Sequence, residues 1–259
     1  MIQYALMSEP TQPSAKRRNQ PEQQAPPVQR LRLRYAKRGP ARFTSHRDFG
    51  RAFERALRRA DVPMAYSSGF TPHPRISYAN ASPTSAATEA EYLEIGLSER
   101  CDPEKVRLAL DEVLPPGLRI LEVVEADGIG LADRLTGSAW VVDLGDVDTT
   151  VLGQAVAELM AGETFEVSRM TKNGLRTFDV RAAVVELEVL ESGLMRLVSR
   201  HLTPLVRPDD VVSALRQLRP ELASDRPPLL TRVAQGTLAG EGSEAVLTDP
   251  FSGASHRPW

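Results

Sequence analysis

Apolar and basic side chains alternate in the first clearly patterned segment of the chain. The apolar set is Leu31, Leu33 and Tyr35, and the basic set between them is Arg30, Arg32 and Arg34. A period of two residues is typical of a half-buried β-strand. The segment is therefore predicted to be a strand with a basic outer face.

A helical period follows from Ser45 onward. Ser45 and Asp48 match a capping box with aspartate in place of glutamate. The apolar stripe recurs every three or four residues and consists of Phe49, Ala52, Phe53, Ala56, Leu57 and Ala60. The opposite side of this helix, the arginine face, consists of Arg47, Arg51, Arg55 and Arg58. We predict an amphipathic helix that presents four guanidinium groups to solvent.

The remaining pattern predicts two β-α-β-β-α-β units in tandem. The first unit continues with strands at 75–79 and 91–97, a helix at 103–113 and a strand at 118–124. The second unit is predicted from a strand at 139–144, a helix at 151–160, strands at 164–170 and 183–190, a helix at 211–218 and a strand at 229–234, with an additional strand at 194–199. This order is the ferredoxin-like one. The predicted fold class is α+β, with two ferredoxin-like lobes.

Composition sets the predicted boundaries of the lobes. Residues 1–29 hold five prolines and few large apolar side chains, so they are expected to be a disordered arm. Residues 236–259 are rich in glycine and serine and are expected to be a flexible tail. Turn residues within 126–138 separate a basic lobe at 30–126 from a second lobe at 138–235.

Charge is distributed unevenly along the chain. Residues 30–59 contain eleven Lys/Arg and two acidic residues, a balance of +9, whereas the whole chain carries −2, so the remainder carries −11. Such a split favours an anionic partner for one face. The alternative is an arginine-rich composition that places arginine wherever a solvated residue is tolerated.

Composition also excludes several kinds of site. The single cysteine, Cys101, excludes an internal disulfide and any iron–sulfur or zinc site built from several cysteines of this chain. No cofactor or metal is therefore expected. No run of eighteen apolar residues occurs and the start MIQYALMSEP is unlike a signal peptide, so we expect a cytoplasmic protein with no membrane association.

Four segments carry a family resemblance. FTSHRD (43–48), ERALRRA (54–60), SGFTPHPRIS (68–77) and EAEYL (89–93) occur in an order that resembles the radical SAM-linked protein family. A weaker likeness extends to KNG (172–174) and DVR (179–181). Two positions depart from the family pattern, because Arg47 replaces a leucine and Thr71 replaces an asparagine.

The resemblance implies a setting for the protein. Members of that family occur alone, or fused to or encoded beside radical SAM proteins, and a ribonuclease gene is a frequent neighbour. A role in RNA metabolism or modification is therefore implied, with a radical SAM protein or a ribonuclease as partner. The cluster and S-adenosylmethionine would reside on that partner.

Two elements are candidate RNA-binding sites. The arginine face and the strand arginines Arg30, Arg32 and Arg34 are expected to form one positive surface that contacts phosphates. In the loop at 69–75, Phe70 offers a base-stacking platform, Pro72 and Pro74 orient His73, and Arg75 adds charge. The alternatives are a solvated helix face and a loop in which Phe70 is buried.

Catalytic and metal-binding arrangements are also open. His46 and His73 are candidates for general acid and base on a ribose hydroxyl. Asp48 or Asp179 could serve as the aspartate of a pseudouridine-synthase-like site, and His46, Asp48 and His73 could bind a metal with Glu89 and Glu91. The favoured hypothesis is a non-catalytic RNA-binding accessory protein. The alternatives are an RNA-modifying or RNA-cleaving enzyme and a protein-interaction module that binds no RNA.

Overall fold

The first lobe has the strand order of a ferredoxin-like fold. A computed structural model describes residues 23–171, 174–190 and 193–256. The elements of this lobe are β1 (Gln29–Lys37), α1 (His46–Arg59), β2 (Ile76–Ala79), β3 (Ala87–Leu97), α2 (Pro103–Val113) and β4 (Leu118–Glu125). The strands lie in the order β4-β1-β3-β2, and each neighbouring pair is antiparallel. The predicted β-α-β-β-α-β arrangement is confirmed for this lobe.

The alternation of β1 and the stripe of α1 build the core of the first lobe. Leu31, Leu33 and Tyr35 are buried, and the ring of Tyr35 stacks on Phe49 of α1 at 4.2 Å between centroids. Helix α1 begins after Ser45, whose hydroxyl accepts a hydrogen bond from the backbone N–H of Asp48 at 3.2 Å. The arginines of β1 point to the opposite side of the sheet, because successive side chains of a strand alternate between its faces.

The second lobe repeats the fold with one insertion. Its elements are β5 (Gly137–Asp143), α3 (Thr149–Ala161), β6 (Glu166–Thr171), β7 (Gly174–Asp179), α4 (Val180–Ala183), β8 (Val184–Val189), β9 (Leu194–Arg200), α5 (Pro208–Leu218) and β10 (Leu229–Ala239). The sheet order is β10-β5-β9-β8. The four sheet strands with α3 and α5 make the second ferredoxin-like unit.

The structure corrects the predicted assignment of the second-lobe strands. Residues 166–171 do not enter the main sheet but pair with β7 in a separate two-stranded hairpin. The strand at 194–199, predicted as an addition, is the central strand β9. Val167 and Phe178 are each 3% exposed and pack the inserted hairpin against the core of the second lobe. Buried apolar residues at these positions give the hairpin the apolar–polar pattern of a sheet strand, which explains the wrong assignment.

The two lobes share one continuous sheet. Strand β3 of the first lobe and β10 of the second pair in parallel at Thr231/Ala87 and Arg232/Thr88. Side chains two residues apart in a strand share a face, so Glu91 lies on the same face as the first-lobe core residue Leu93. Arg232 likewise lies on the same face as the second-lobe core residue Leu230, and it pairs with Glu91. Both pairs of helices therefore cover the same face of the sheet, and a valley separates them above the junction.

The C-terminal segment differs from the expected flexible tail. Strand β10 continues to Ala239, and β11 (Val246–Thr248) and β12 (Ser255–His256) add to it. The glycine at 236 is needed because a Cβ there would lie 2.1 Å from the carbonyl oxygen of Thr248. Of the expected N-terminal arm, residues 1–22 lie outside the described residues, and Val28 already pairs with Leu97.

Candidate nucleic-acid interface

The arginine face of α1 is fully presented to solvent. Arg47, Arg51, Arg55 and Arg58 are exposed, and none forms an ion pair or hydrogen bond with any residue that the structure describes. Residues four apart in a helix lie about 6 Å apart along its axis. The face therefore presents a row of cations with free donors, which is the chemistry that binds a chain of phosphates.

The arginines of β1 do not belong to this surface, so the expected single positive surface is wrong. They lie on the opposite face of the sheet from α1 and are neutralised there. Arg32 is 3% exposed in its side chain and pairs with Glu94 at 3.3 Å and Asp127 at 2.9 Å. Arg30 pairs with Glu94 at 3.0 Å, and Arg34 lies 3.2 Å from a carboxylate oxygen of Glu122.

The loop at 69–75 is held by its backbone and exposes its side chains. The N–H of His73 donates to the hydroxyl of Ser67 at 3.0 Å, and the N–H of Ser67 donates to the carbonyl of His73 at 2.8 Å. The guanidinium of Arg75 donates to the carbonyl of Tyr66 at 3.0 Å. The side chain of Phe70 is 83% exposed. The alternative of a buried Phe70 is therefore wrong.

The candidate catalytic residues are not brought together. His46 lies in the valley between the lobes, with its ring edge-on to Tyr78 at 4.6 Å, whereas His73 lines a separate cavity of about 280 Å³ beside Arg30. Asp48 accepts a hydrogen bond from the hydroxyl of Ser45 at 2.6 Å as part of the helix cap. The geometry offers no shared site to this pair of histidines.

The structure gives the remaining candidates Asp179 and Cys101 no catalytic arrangement among the residues it describes. Asp179 caps α4 and accepts a hydrogen bond from the N–H of Ala182 at 3.2 Å. Burial and the nearby Glu99 raise the pKa of the Cys101 thiol, which keeps the less reactive protonated form. Within the described ranges, no three His, Cys, Asp or Glu residues are grouped so as to bind a metal ion.

The valley between the lobes contains a cavity that the sequence pattern did not reveal. This interlobe cleft has a volume of about 350 Å³ and lies between the first turn of α1 and the first turn of α5. Its walls come from 80–84, β5, β9, β10 and 205–209. The contributing residues lie up to 186 positions apart in the chain, from His46 to Arg232, and no local pattern could have joined them.

One wall of the interlobe cleft is a fixed serine–histidine contact. His201 is half-buried, and this burial lowers its pKa, so the ring is neutral near pH 7. Its Nδ1 lies 2.7 Å from the carbonyl oxygen of Leu135 and must carry the proton. Its Nε2 then accepts a hydrogen bond from the hydroxyl of Ser138 at 2.7 Å.

Another part of the wall is Arg232, which forms a buried ion pair with Glu91. Arg232 also donates to the carbonyl of Asn80 at 2.9 Å, and both carboxylate oxygens of Glu91 accept from the N–H of Ser82 at 3.2 Å. Burial, followed by the charge of Glu91, raises the pKa of the Tyr35 hydroxyl beneath this pair. Glu91, one of the predicted metal donors, is thus engaged at the junction of the lobes.

Comparison with known proteins adds a family. The family described as an uncharacterized protein conserved in bacteria (DUF2344) matches residues 30–208. No curated protein matches the chain. Among solved structures, the first two RRM domains of a yeast poly(U)-binding protein are similar at 11% identity and a TM-score of 0.20, over 78% of this chain and 98% of that one. The ferredoxin-like assignment accordingly rests on the strand order. No helix of the described residues is long and apolar enough to cross a membrane.

Proposed function

We propose that this chain, which belongs to the bacterial family DUF2344, is an RNA-binding accessory protein that holds phosphates on the arginine face of α1. The observation that supports this function best is the contrast between two sets of arginines. Those of β1 are all paired with carboxylates, whereas those of the arginine face have no partner among the described residues. Four unpaired guanidinium groups on one helix favour a polyanion.

Phe70 and His73 form a second proposed contact with RNA, on the side of Arg30 and apart from the arginine face of α1. An aromatic ring that is 83% exposed on a hydrogen-bonded loop is available for stacking against an unpaired base. Phosphate contacts alone do not distinguish sequences. We therefore assign phosphate binding to the arginine face and a preference for single-stranded RNA to this loop.

The chemistry of the complex would belong to a partner. The resemblance of the segments at 43–93 to radical SAM-linked proteins supports a radical SAM protein or a ribonuclease in that role. This chain's single cysteine cannot hold a cluster by itself. We place the complex in the cytoplasm, with this chain presenting the RNA and the partner acting on it.

The test is RNA binding measured across a salt titration. We expect a single-stranded RNA to bind the full chain with an affinity that falls steeply as salt rises, because each phosphate contact releases counterions. A variant with Arg47→Gln, Arg51→Gln, Arg55→Gln and Arg58→Gln should lose most of the affinity and show a shallower salt slope.

A matched control separates a site from net charge. Arg100, Arg119, Arg200 and Arg226 all lie outside α1, and Arg100→Gln, Arg119→Gln, Arg200→Gln and Arg226→Gln together remove the same charge. This control should retain the affinity of the unmodified chain. Equal losses in both variants would mean nonspecific attraction, and an absence of salt-dependent binding in the unmodified chain would refute the RNA assignment and favour an acidic protein partner.

A further inference from the structure

The interlobe cleft contains buried polar atoms that lack a partner. Ser82, Trp140 and Arg232 line it and are 9%, 4% and 3% exposed. The Ser82 hydroxyl, the Trp140 Nε1 and the Arg232 Nε have no hydrogen-bond partner among the residues that the structure describes. Buried polar groups are almost always paired, so each unpaired one needs an explanation. The indole and guanidinium nitrogens can only donate. The missing partner of the Trp140 and Arg232 nitrogens is therefore an acceptor, whereas the Ser82 hydroxyl can pair with either a donor or an acceptor.

The electrostatics of the cleft favour an anion. The first turns of two helices, α1 with 14 residues and α5 with 11, meet there. Helix N-termini carry partial positive charge, which Asp48 in α1 and Asp209 and Asp210 in α5 offset in part. His46 and Arg207 line the same cavity, and Arg207 is exposed and forms no ion pair with the described residues.

One acidic side chain also faces this cavity. Burial, followed by the charge of the adjacent Asp210, raises the pKa of Asp209. The Asp209 carboxylate can accept a hydrogen bond from a hydroxyl or an amino group. The cleft thus combines the cationic Arg207 with acceptor and donor groups, which suits a ligand that has both a phosphate and a polar ring.

The position of the cleft connects it to the arginine face. His46 is the first residue of α1, and Arg47, Arg51, Arg55 and Arg58 follow on the same helix. A strand held along the arginine face therefore reaches the cleft at the N-terminal end of α1. The cavity volume of about 350 Å³ lies within the range of small-ligand sites.

We infer that the interlobe cleft binds one nucleotide at the end of the RNA strand that the arginine face holds. The phosphate lies at the N-termini of α1 and α5 near Arg207, and the base lies against Trp140 and the Ser138–His201 wall. The inference rests on the proposed function, since it names the part of the RNA that enters the cleft.

The first experiment uses Trp140 as its own reporter. The chain has two tryptophans, Trp140 and Trp259, so the full chain with Trp259→Phe leaves Trp140 alone. We expect its fluorescence to change saturably when at least one of AMP, GMP, CMP and UMP is added. Ala81→Phe should fill the mouth of the cleft and abolish the change, whereas Ala157→Phe, on the exposed side of α3, should not.

A second pair of variants separates the cleft from the arginine face. Arg207→Gln should weaken the nucleoside monophosphate about tenfold, as expected for one lost charge-assisted hydrogen bond. A variant with Arg51→Gln, Arg55→Gln and Arg58→Gln should lose long RNA while it still binds the mononucleotide. Retained RNA binding without any mononucleotide binding would overturn the cleft inference and leave the proposed function intact.

Two other outcomes would also overturn the inference. If inorganic phosphate changes the fluorescence as strongly as the nucleotides do, the cleft is an anion site and recognises no base. If the mononucleotide binds but no RNA does, the cleft is a site for a free nucleotide. That result would refute both the inference that an RNA end enters the cleft and the proposed function.

Discussion

Arg232 of β10 and Glu91 of β3, which lie 141 positions apart in the chain, form a buried ion pair where the two lobes meet. The side chains are 4% and 1% exposed. A charge in such a place is tolerated only because its partner and hydrogen bonds compensate it. The pair therefore fixes how β3 and β10 lie beside each other.

Removal of one member of this pair should strongly destabilise the protein. Arg232→Met leaves the Glu91 carboxylate buried without its partner, and we expect a loss of about 3–5 kcal/mol in the free energy of unfolding. The double variant with Glu91→Leu should recover much of that loss, because no charge is then buried. Urea unfolding measures both values.

An exposed pair provides the control for that measurement. Arg226 lies 3.3 Å from Asp143 and its side chain is 59% exposed, so Arg226→Met should cost less than about 1 kcal/mol. If Arg232→Met costs no more than Arg226→Met, the buried pair does not hold the lobes together.

His201 should make stability depend on pH. Burial lowers its folded-state pKa below the ordinary value of 6.5, so the unfolded chain binds a proton before the folded chain does. Stability from this group is present above pH 6.5 and is lost as the pH falls through 6.5 toward the folded-state pKa. The free energy of unfolding should therefore fall more steeply below that pH in the unmodified chain than in His201→Gln. Parallel slopes for the two proteins would show that His201 is accessible to protons in the folded state.

Arg32 and Arg55 should respond in opposite ways. Arg32→Met breaks two ion pairs of a buried side chain, so it should destabilise the fold by about 3 kcal/mol and leave RNA affinity unchanged. Arg55→Gln should weaken RNA binding and change stability by less than about 0.5 kcal/mol, because the side chain is exposed. Loss of RNA affinity in a folded Arg32→Met protein would mean that RNA binds the face of the sheet opposite α1, which would contradict the proposed interface.

Phe70 should matter for RNA and not for folding. Phe70→Ala should lower affinity for single-stranded RNA by about 1–3 kcal/mol, the usual worth of one stacked base. Double-stranded RNA, whose bases are already stacked, should bind Phe70→Ala and the unmodified chain equally. Phe70→Tyr keeps a ring and should retain the affinity. An equal loss for both RNA forms would assign Phe70 to a backbone contact.

The first lobe was predictable because its sequence pattern is local. The alternation of Leu31, Leu33 and Tyr35 and the stripe of α1 each correspond to one buried face of one element. The second lobe misled the prediction because Val167 and Phe178 give an inserted hairpin the apolar positions of a sheet strand. The glycines of the last segment suggested a flexible tail, whereas Gly236 allows β10 to pack closely against Thr248 of β11.

The site was only partly predictable. The spacing of the arginine face follows from the helical period, and its exposure agrees with that pattern. The neutralisation of Arg32 was not predictable, since its partners Glu94 and Asp127 are distant in sequence. The same is true of the interlobe cleft, where residues of both lobes meet only after the two sheets join.

The C-terminal segment has a consequence for the rate at which a ligand binds. Phe251 packs edge-on against Tyr92 at 5.3 Å, and the guanidinium of Arg134 donates to the carbonyl of Pro250 at 2.8 Å, so this segment reaches back onto the outer face of the first lobe. We expect the pairing of β3 with β10 and these two contacts to oppose a hinge opening of the lobes. A nucleotide should then enter a preformed cavity in one step. Stopped-flow traces should be single-exponential, with a rate that rises linearly with nucleotide concentration and shows no plateau.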